Sequence, residues 1–161
     1  MLDKNVPYFD VLMHRKKGTP ISDDELEAFI YFQKYYLPFL SELERRCLFI
    51  ENEKGEKIAT STAWWNYTGS RRDPWLHWVA VSPKYQNMGL GKAVVSEALQ
   101  LMLDIEGDRD FYLHTQTWSH RAIKIYEKLG YVITNEKNLY KYSNENYDKA
   151  MEVLNKIYTE I

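Results

Sequence analysis

Leu90, Val94, Val95, Ala98, Leu101 and Met102 recur at the three-to-four-residue interval of one helix face, which predicts an amphipathic helix running to about Asp104. Upstream, Cys47–Glu51 and Lys57–Trp65 are rich in β-branched and aromatic residues. The polar stretch Asn52-Glu53-Lys54-Gly55 separates them, as in an antiparallel hairpin. Trp75–Val81 reads as the next strand, and Asp110–Gln116 as one that runs parallel to it, because a helix crosses between the two. A short helix at roughly 118–129 buries Ala122, Ile123, Tyr126 and Leu129 and turns Arg121, Lys124, Glu127 and Lys128 outward, with Gly130 as its left-handed cap.

The ends of the chain add weaker elements. Residues 6–13 alternate loosely as a first strand, and Gly18-Thr19-Pro20 breaks it. Ser22 and Glu25 form a capping box for a helix whose face carries Leu26, Phe29, Ile30, Gln33 and Leu37 up to Pro38, with a second helical piece at Ser41–Arg46. Tyr131–Thr134 and Asn138–Tyr142 suggest a closing hairpin. Beyond residue 144, Tyr147, Met151, Leu154, Tyr158 and Ile161 form a narrow helical stripe, suited to docking on the chain's own sheet or to a homodimer contact.

Between the strand ending at Val81 and the helix from Leu90 lies Ser82-Pro83-Lys84-Tyr85-Gln86-Asn87-Met88-Gly89, with Gly91 and Lys92 just beyond. Strand, glycine turn and helix in that order aim the unpaired amides and partial positive charge of a helix N-terminus past the strand end, where an anion such as phosphate binds. Lys92 and the absence of an acid before Glu97 leave that charge unopposed. A turn that binds nothing is the plain alternative. A P-loop is excluded, since Gln86 and Ala93 stand where it needs a glycine and a Ser or Thr. A dinucleotide fold is excluded by Val94 in place of the third glycine and by Thr115-Gln116-Thr117 where a ribose-binding acid belongs.

Gln86-Asn87-Met88-Gly89-Leu90-Gly91 resembles the Arg/Gln-x-x-Gly-x-Gly/Ala motif of the GNAT superfamily of acetyl-CoA-dependent N-acetyltransferases. Ser119-His120-Arg121-Ala122-Ile123-Lys124-Ile125-Tyr126-Glu127-Lys128-Leu129-Gly130-Tyr131 is similar to a second motif of that family, with Ser119 for the usual Asn and Tyr131 for the usual Phe. The resemblance covers about residues 57–142. It implies an α/β fold, a single N-acetyltransferase domain over 1–161 with an additional C-terminal helix at 144–161. Its mixed sheet would have about six to seven strands with flanking helices, the central parallel pair splayed around coenzyme A.

The same resemblance implies that the amides of residues 86–92 hold the cofactor pyrophosphate, that Ser119 and Ala122 lie along the pantetheine arm, and that Val79, Ala80 and Val81 lend it backbone groups. A backbone amide near Val79 would hold the oxyanion of a tetrahedral intermediate formed by direct attack of a primary amine, from a small molecule or a peptide, on acetyl-CoA. Tyr126 occupies the family's tyrosine position and would protonate the departing thiolate or position the sulfur. From periodicity alone it is a core tyrosine. Leu76-His77-Trp78-Val79-Ala80-Val81 is similar to a segment of arylalkylamine N-acetyltransferases, in which a strand histidine helps remove the amine proton through water. His77 is thus either the base or a packed histidine between Trp75 and Trp78, and strand alternation puts it on the face of Val79 and Val81. His114 and His120 are weaker candidates.

Composition narrows the partners. The net charge is −2, from 21 basic and 23 acidic residues, which argues against nucleic acid. No apolar run approaches the ~18 residues of a membrane span, and no secretory start follows Met1, so a cytoplasmic protein is expected. Cys47 is the single cysteine and reads as a core strand residue rather than a reactive thiol. No histidine pair has metal-ligand spacing, so no metal is expected. Trp64, Trp65, Asn66 and Tyr67 would either enclose the acceptor or belong to the core, and the acids Asp23, Asp24, Glu25 and Glu27 read as a solvated helix start. The second class left open is a non-catalytic acyl-CoA-binding sensor or interaction module.

Overall fold

The computed structural model describes residues 23–135 and 146–160. The chain divides into two compact units, Met1–Arg45 and Arg46–Ile161. In the first, helix α1 spans Asp23–Tyr35, and Pro38 stops it by seeding a 3-10 turn at Leu37–Phe39, since proline fits the first turn of a helix and breaks its interior. Helix α2, Leu40–Arg46, then leads into the second unit. The expected strand at 6–13 and the Ser22 cap lie outside the described residues.

The second unit is built on an antiparallel sheet in the order β1 (Cys47–Glu51), β2 (Lys57–Thr68) and β3 (Arg71–Val81). The β1–β2 turn forms as its sequence predicts. Asn52 Oδ1 accepts the amides of Lys54 and Glu56 at 2.9 and 3.0 Å, and Asn52 Nδ2 donates to Tyr85 Oη at 2.9 Å, tying the hairpin to the segment that precedes the glycine turn. Helix α3 (Leu90–Glu106) lays Val94, Val95, Ala98 and Met102 on the sheet face that carries Ala59, Ala63 and Leu76. Each fully buried large aliphatic residue there contributes about 1.5–3 kcal/mol.

The far end of this face is closed by charge. Arg46, 1% exposed, donates to the Ala63 carbonyl at 3.1 Å and pairs with Glu106 at 2.8 Å, while Arg72 reaches the same carboxylate at 2.5 Å. Both guanidinium groups lie over the ring of Trp65, at 5.0 and 4.5 Å from its centroid. The end of α3 is therefore fixed to β2 and β3 by a shared carboxylate rather than by apolar contact alone.

Beyond α3, the chain meets β3 in parallel at a single bridge, Trp75 to Tyr112. Leu76 N donates to Tyr112 O at 2.8 Å and Tyr112 N to Pro74 O at 3.0 Å. The expected parallel strand at Asp110–Gln116 is thus paired only at its start, and the segment forms no further ladder with β3. Among the described residues the sheet has three strands. Tyr131–Thr134 forms no strand among them, and Asn138–Tyr142 lies outside them.

Helix α4 (His120–Lys128) buries Ile123 and Tyr126. Gly130, at φ +96°, ends it: Tyr131 N reaches Tyr126 O and Gly130 N reaches Glu127 O, both at 3.1 Å, while the rings of Tyr126 and Tyr131 meet edge to face. This paired set of bonds is the glycine termination that satisfies a helix's last carbonyls. Helix α5 (Tyr147–Thr159) buries Leu154 and places Tyr158 Oη as donor to the His120 carbonyl at 3.1 Å. Leu154 and Tyr158 of the expected stripe are thus placed against this chain, Tyr158 at the start of α4 rather than on the sheet. Among the described residues no helix is long and apolar enough to cross a membrane.

Candidate active site

The glycine turn forms the first wall of the site. A 3-10 turn at Pro83–Tyr85 follows β3, Gln86 Nε2 donates to Val81 O at 3.3 Å, and Asn87 at φ +63° brings the chain round to Gly89. Gly89 is the N-cap of α3 at φ +81°, a left-handed conformation natural to glycine, and no side chain caps the helix. Ala93 N is the first amide bonded within the helix, to Gly89 O at 3.0 Å, so the amides of Gly89, Leu90, Gly91 and Lys92 have no intrahelical partner. Gln86, Asn87, Met88, Gly89 and Lys92 are exposed. Lys92 is the only charged residue in the first helical turn. An uncapped helix start of this kind is a donor set for an anion, and its residues fit a pyrophosphate.

Gly91 fixes where that start sits. A Cβ placed on it would lie 3.5 Å from Ile125 Cδ1 and 3.7 Å from Val81 Cγ2, so the first turn of α3 packs between the end of β3 and α4. Ser119 is the N-cap of α4 but caps none of its amides, and Ala122 is half-buried beside it. Tyr126, 8% exposed, belongs to the cluster on the α3 side of the sheet with Leu76, Val94 and Val95. Burial pushes its phenol up to about 12, so it carries its proton throughout the neutral range.

Strand β3 carries a bulge. Thr60 pairs with Ala80 and Thr62 with His77, so Ser61 alone faces both Trp78 and Val79. Trp78 takes φ +53° and leaves its side chain 54% exposed. One extra residue reverses the alternation of side chains. His77 therefore lies on the face of Thr60, Thr62 and Ala80, opposite the α3 face to which Val79, Val81 and Leu76 are packed. The period-two expectation that His77 shares a face with Val79 and Val81 is corrected by this bulge. His77 and Tyr126 approach β3 from its two faces.

His77 is largely enclosed. Asn66 Nδ2 lies 3.3 Å from its Nε2, and the Trp75 ring meets its imidazole edge to face at 6.4 Å. Burial lowers its pKa to about 4, so the ring is neutral at pH 7. His114 is exposed, and His120 starts α4. Trp64 and Trp65 are buried, 4% and 8% exposed, and so take the core reading; Tyr67 remains 53% exposed. Cys47 is half-buried with Thr62 Oγ1 3.4 Å from its Sγ. Among the described residues no three His, Cys, Asp or Glu side chains come together as a metal site.

Two features had no mark in the sequence. The bulge is hidden because Trp78 to Val81 is an unbroken apolar run in which a switch of faces leaves no polar residue out of place. Asn66 was legible only as a polar residue among aromatics, and its contact with His77 depends on side chains reaching across the sheet.

The sequence profile described as the acetyltransferase (GNAT) family matches residues 11–131. The chain belongs to that family of acyltransferases. Within it, the chain is similar to N-alpha-acetyltransferase 30 of Xenopus laevis and of Homo sapiens, at 36% identity over 72 residues, 44% of this chain. Those matches span 25% and 19% of the relatives' own lengths. Among solved structures, a GCN5-related N-acetyltransferase from Ralstonia eutropha JMP134 has the same fold, with a TM-score of 0.53 at 17% identity over 72% of this chain and 79% of that one. The GNAT family uses acetyl-CoA as its general acyl donor.

Proposed function

We propose that this GNAT chain is an N-acetyltransferase that binds acetyl-CoA through the start of α3 and transfers the acetyl group to a primary amine. The observation that carries the reading is the uncapped, exposed first turn of α3, set at the carboxyl end of β3 by a left-handed Gly89. The amides of Gly89 to Lys92 would hold the pyrophosphate, with Lys92 adding charge, while Gln86, Asn87 and Met88 form the rim. Val79, Ala80 and Val81 would offer backbone groups to the pantetheine, and Ser119 and Ala122 would line its other side. Bound there, acetyl-CoA supplies an activated acetyl thioester.

The chain's own groups then divide the proton chemistry. A backbone amide near Val79, beside the bulge, would polarise the acetyl carbonyl. Tyr126, protonated and buried on the α3 side, donates to the departing thiolate. His77, neutral and on the other face, accepts the amine proton directly or through water. With Tyr126 at about 12 and His77 at about 4, the proton rests on the phenol and not on the imidazole. The acceptor is a primary amine of a small molecule or a peptide; the likeness to N-alpha-acetyltransferase 30 favours a peptide α-amine.

A panel of peptide α-amines and small primary amines, incubated with acetyl-CoA and read by thiol release, tests this. Release with peptides above the no-acceptor rate is expected. Coenzyme A binding without release across the panel would instead support an acyl-CoA-binding module.

A further inference from the structure

We propose that Asn66 is a positioning residue that sets the tautomer of His77 and makes Nε2 its proton-accepting atom. The assignment rests on the catalytic reading of His77 but is tested separately from it. A carboxamide nitrogen carries only protons to give, so the 3.3 Å contact from Asn66 Nδ2 requires an unprotonated Nε2 lone pair and leaves the ring proton on Nδ1. The amide N–H occupies the place that the N–H of an incoming amine, or the O–H of a bridging water, would take. Exchange of one donor for the other needs no change of tautomer and no rotation of the ring.

The surroundings support a neutral group there. On β3 the next residues on the face of His77 are Trp75 and Asp73, and the Asp73 carboxylate is already engaged by Thr68 Oγ1 at 2.6 Å and Arg71 Nε at 2.7 Å. On β2 the facing residues are Thr60, Thr62 and Trp64, and on β1 Cys47 lies opposite Thr62. The contact to Nε2 is thus made by an uncharged donor, with the Asp73 carboxylate on that face of β3 held by its own partners. An acceptor in the same place would do the reverse, drawing a proton onto Nε2 and favouring the imidazolium.

The experiment is nitrogen-15 NMR of the histidine ring in the whole chain, wild type and Asn66→Asp, followed across pH. The wild type is expected to show Nε2 unprotonated and Nδ1 protonated. In Asn66→Asp, which has nearly the same shape, Nε2 should gain a proton and the His77 titration should move up by about one to three pH units, as expected for an opposite charge at this distance. The acidic limb of the acetylation rate should move with it, and Asn66→Gln, which keeps an amide donor, should restore part of the wild-type profile. A wild-type Nε2–H signal, or an unchanged titration in Asn66→Asp, overturns the assignment. If the ring signals behave as expected while His77→Gln acetylates at the wild-type rate, Asn66 still sets the tautomer and the reading of His77 as base fails.

Discussion

Replacing Gly89 with alanine isolates the backbone conformation on which the donor turn depends. A Cβ at residue 89 meets nothing within 4 Å, so the cost is conformational and not steric. At φ +81° an L-residue is less stable than glycine by about 1–2 kcal/mol. For a chain of this size each kcal/mol moves the melting temperature by about 2–4 °C, so Gly89→Ala should melt lower by about 2–8 °C. Gly91 provides the contrast two residues away. It lies inside the first turn of α3, and a methyl there would make ordinary contacts at 3.5 and 3.7 Å with Ile125 and Val81. Alanine at a helical position is favoured over glycine by about 0.5–1 kcal/mol, so Gly91→Ala should be as stable as the wild type or slightly more so. Gly89→Asn should recover part of the loss, because asparagine tolerates the left-handed region. Scanning calorimetry of the three variants reads the order directly. Gly89→Ala melting with the wild type, or Gly91→Ala falling below it, would refute the left-handed turn and the packing around it.

Tyr126→Phe should lower acetylation turnover about 100-fold or more, the lower end for loss of a general acid, with little change in coenzyme A affinity; steady-state kinetics beside calorimetric binding checks it. His77 also ties stability to pH. Its folded pKa of about 4 lies below the unfolded value of about 6.5, so between those values the unfolded chain binds more protons. Stability should fall as pH drops through this window, by about 3 kcal/mol when complete, and urea titrations of His77→Gln should lack that component. Arg46→Ala removes one partner of the buried Glu106 carboxylate and should cost about 3–5 kcal/mol in the same assay, whereas a loss within 1 kcal/mol would contradict the shared-carboxylate closure of α3.

The elements that follow from short-range pattern were readable in the sequence. The α3 face is fixed by residues at helical spacing, the β1–β2 turn by Asn52 and Gly55, and the end of α4 by Gly130, because each depends on neighbours within a few positions. The order of strand, glycine turn and helix between Val81 and Leu90 follows from the same short-range pattern. Two long-range properties were not. The face of His77 depends on how β3 registers with β2 around Trp78, and strand alternation alone gives the opposite answer. The ionisation of His77 depends on the depth of its enclosure, which lowers its pKa below the ordinary histidine value and which the sequence does not show. The segment Asp110–Gln116 runs parallel to β3, as the helix that crosses between them requires, yet it pairs only at Tyr112, since composition does not reveal where two strands part.

The central claim is that the first turn of α3 holds the pyrophosphate of coenzyme A. Calorimetric titration of coenzyme A into Gly89→Ala and Gly89→Glu tests it most directly, because both variants carry the same backbone strain and only the second puts a carboxylate among the donor amides. Retained binding in Gly89→Ala with its loss in Gly89→Glu is the predicted result, and equal affinity in the two would contradict the claim.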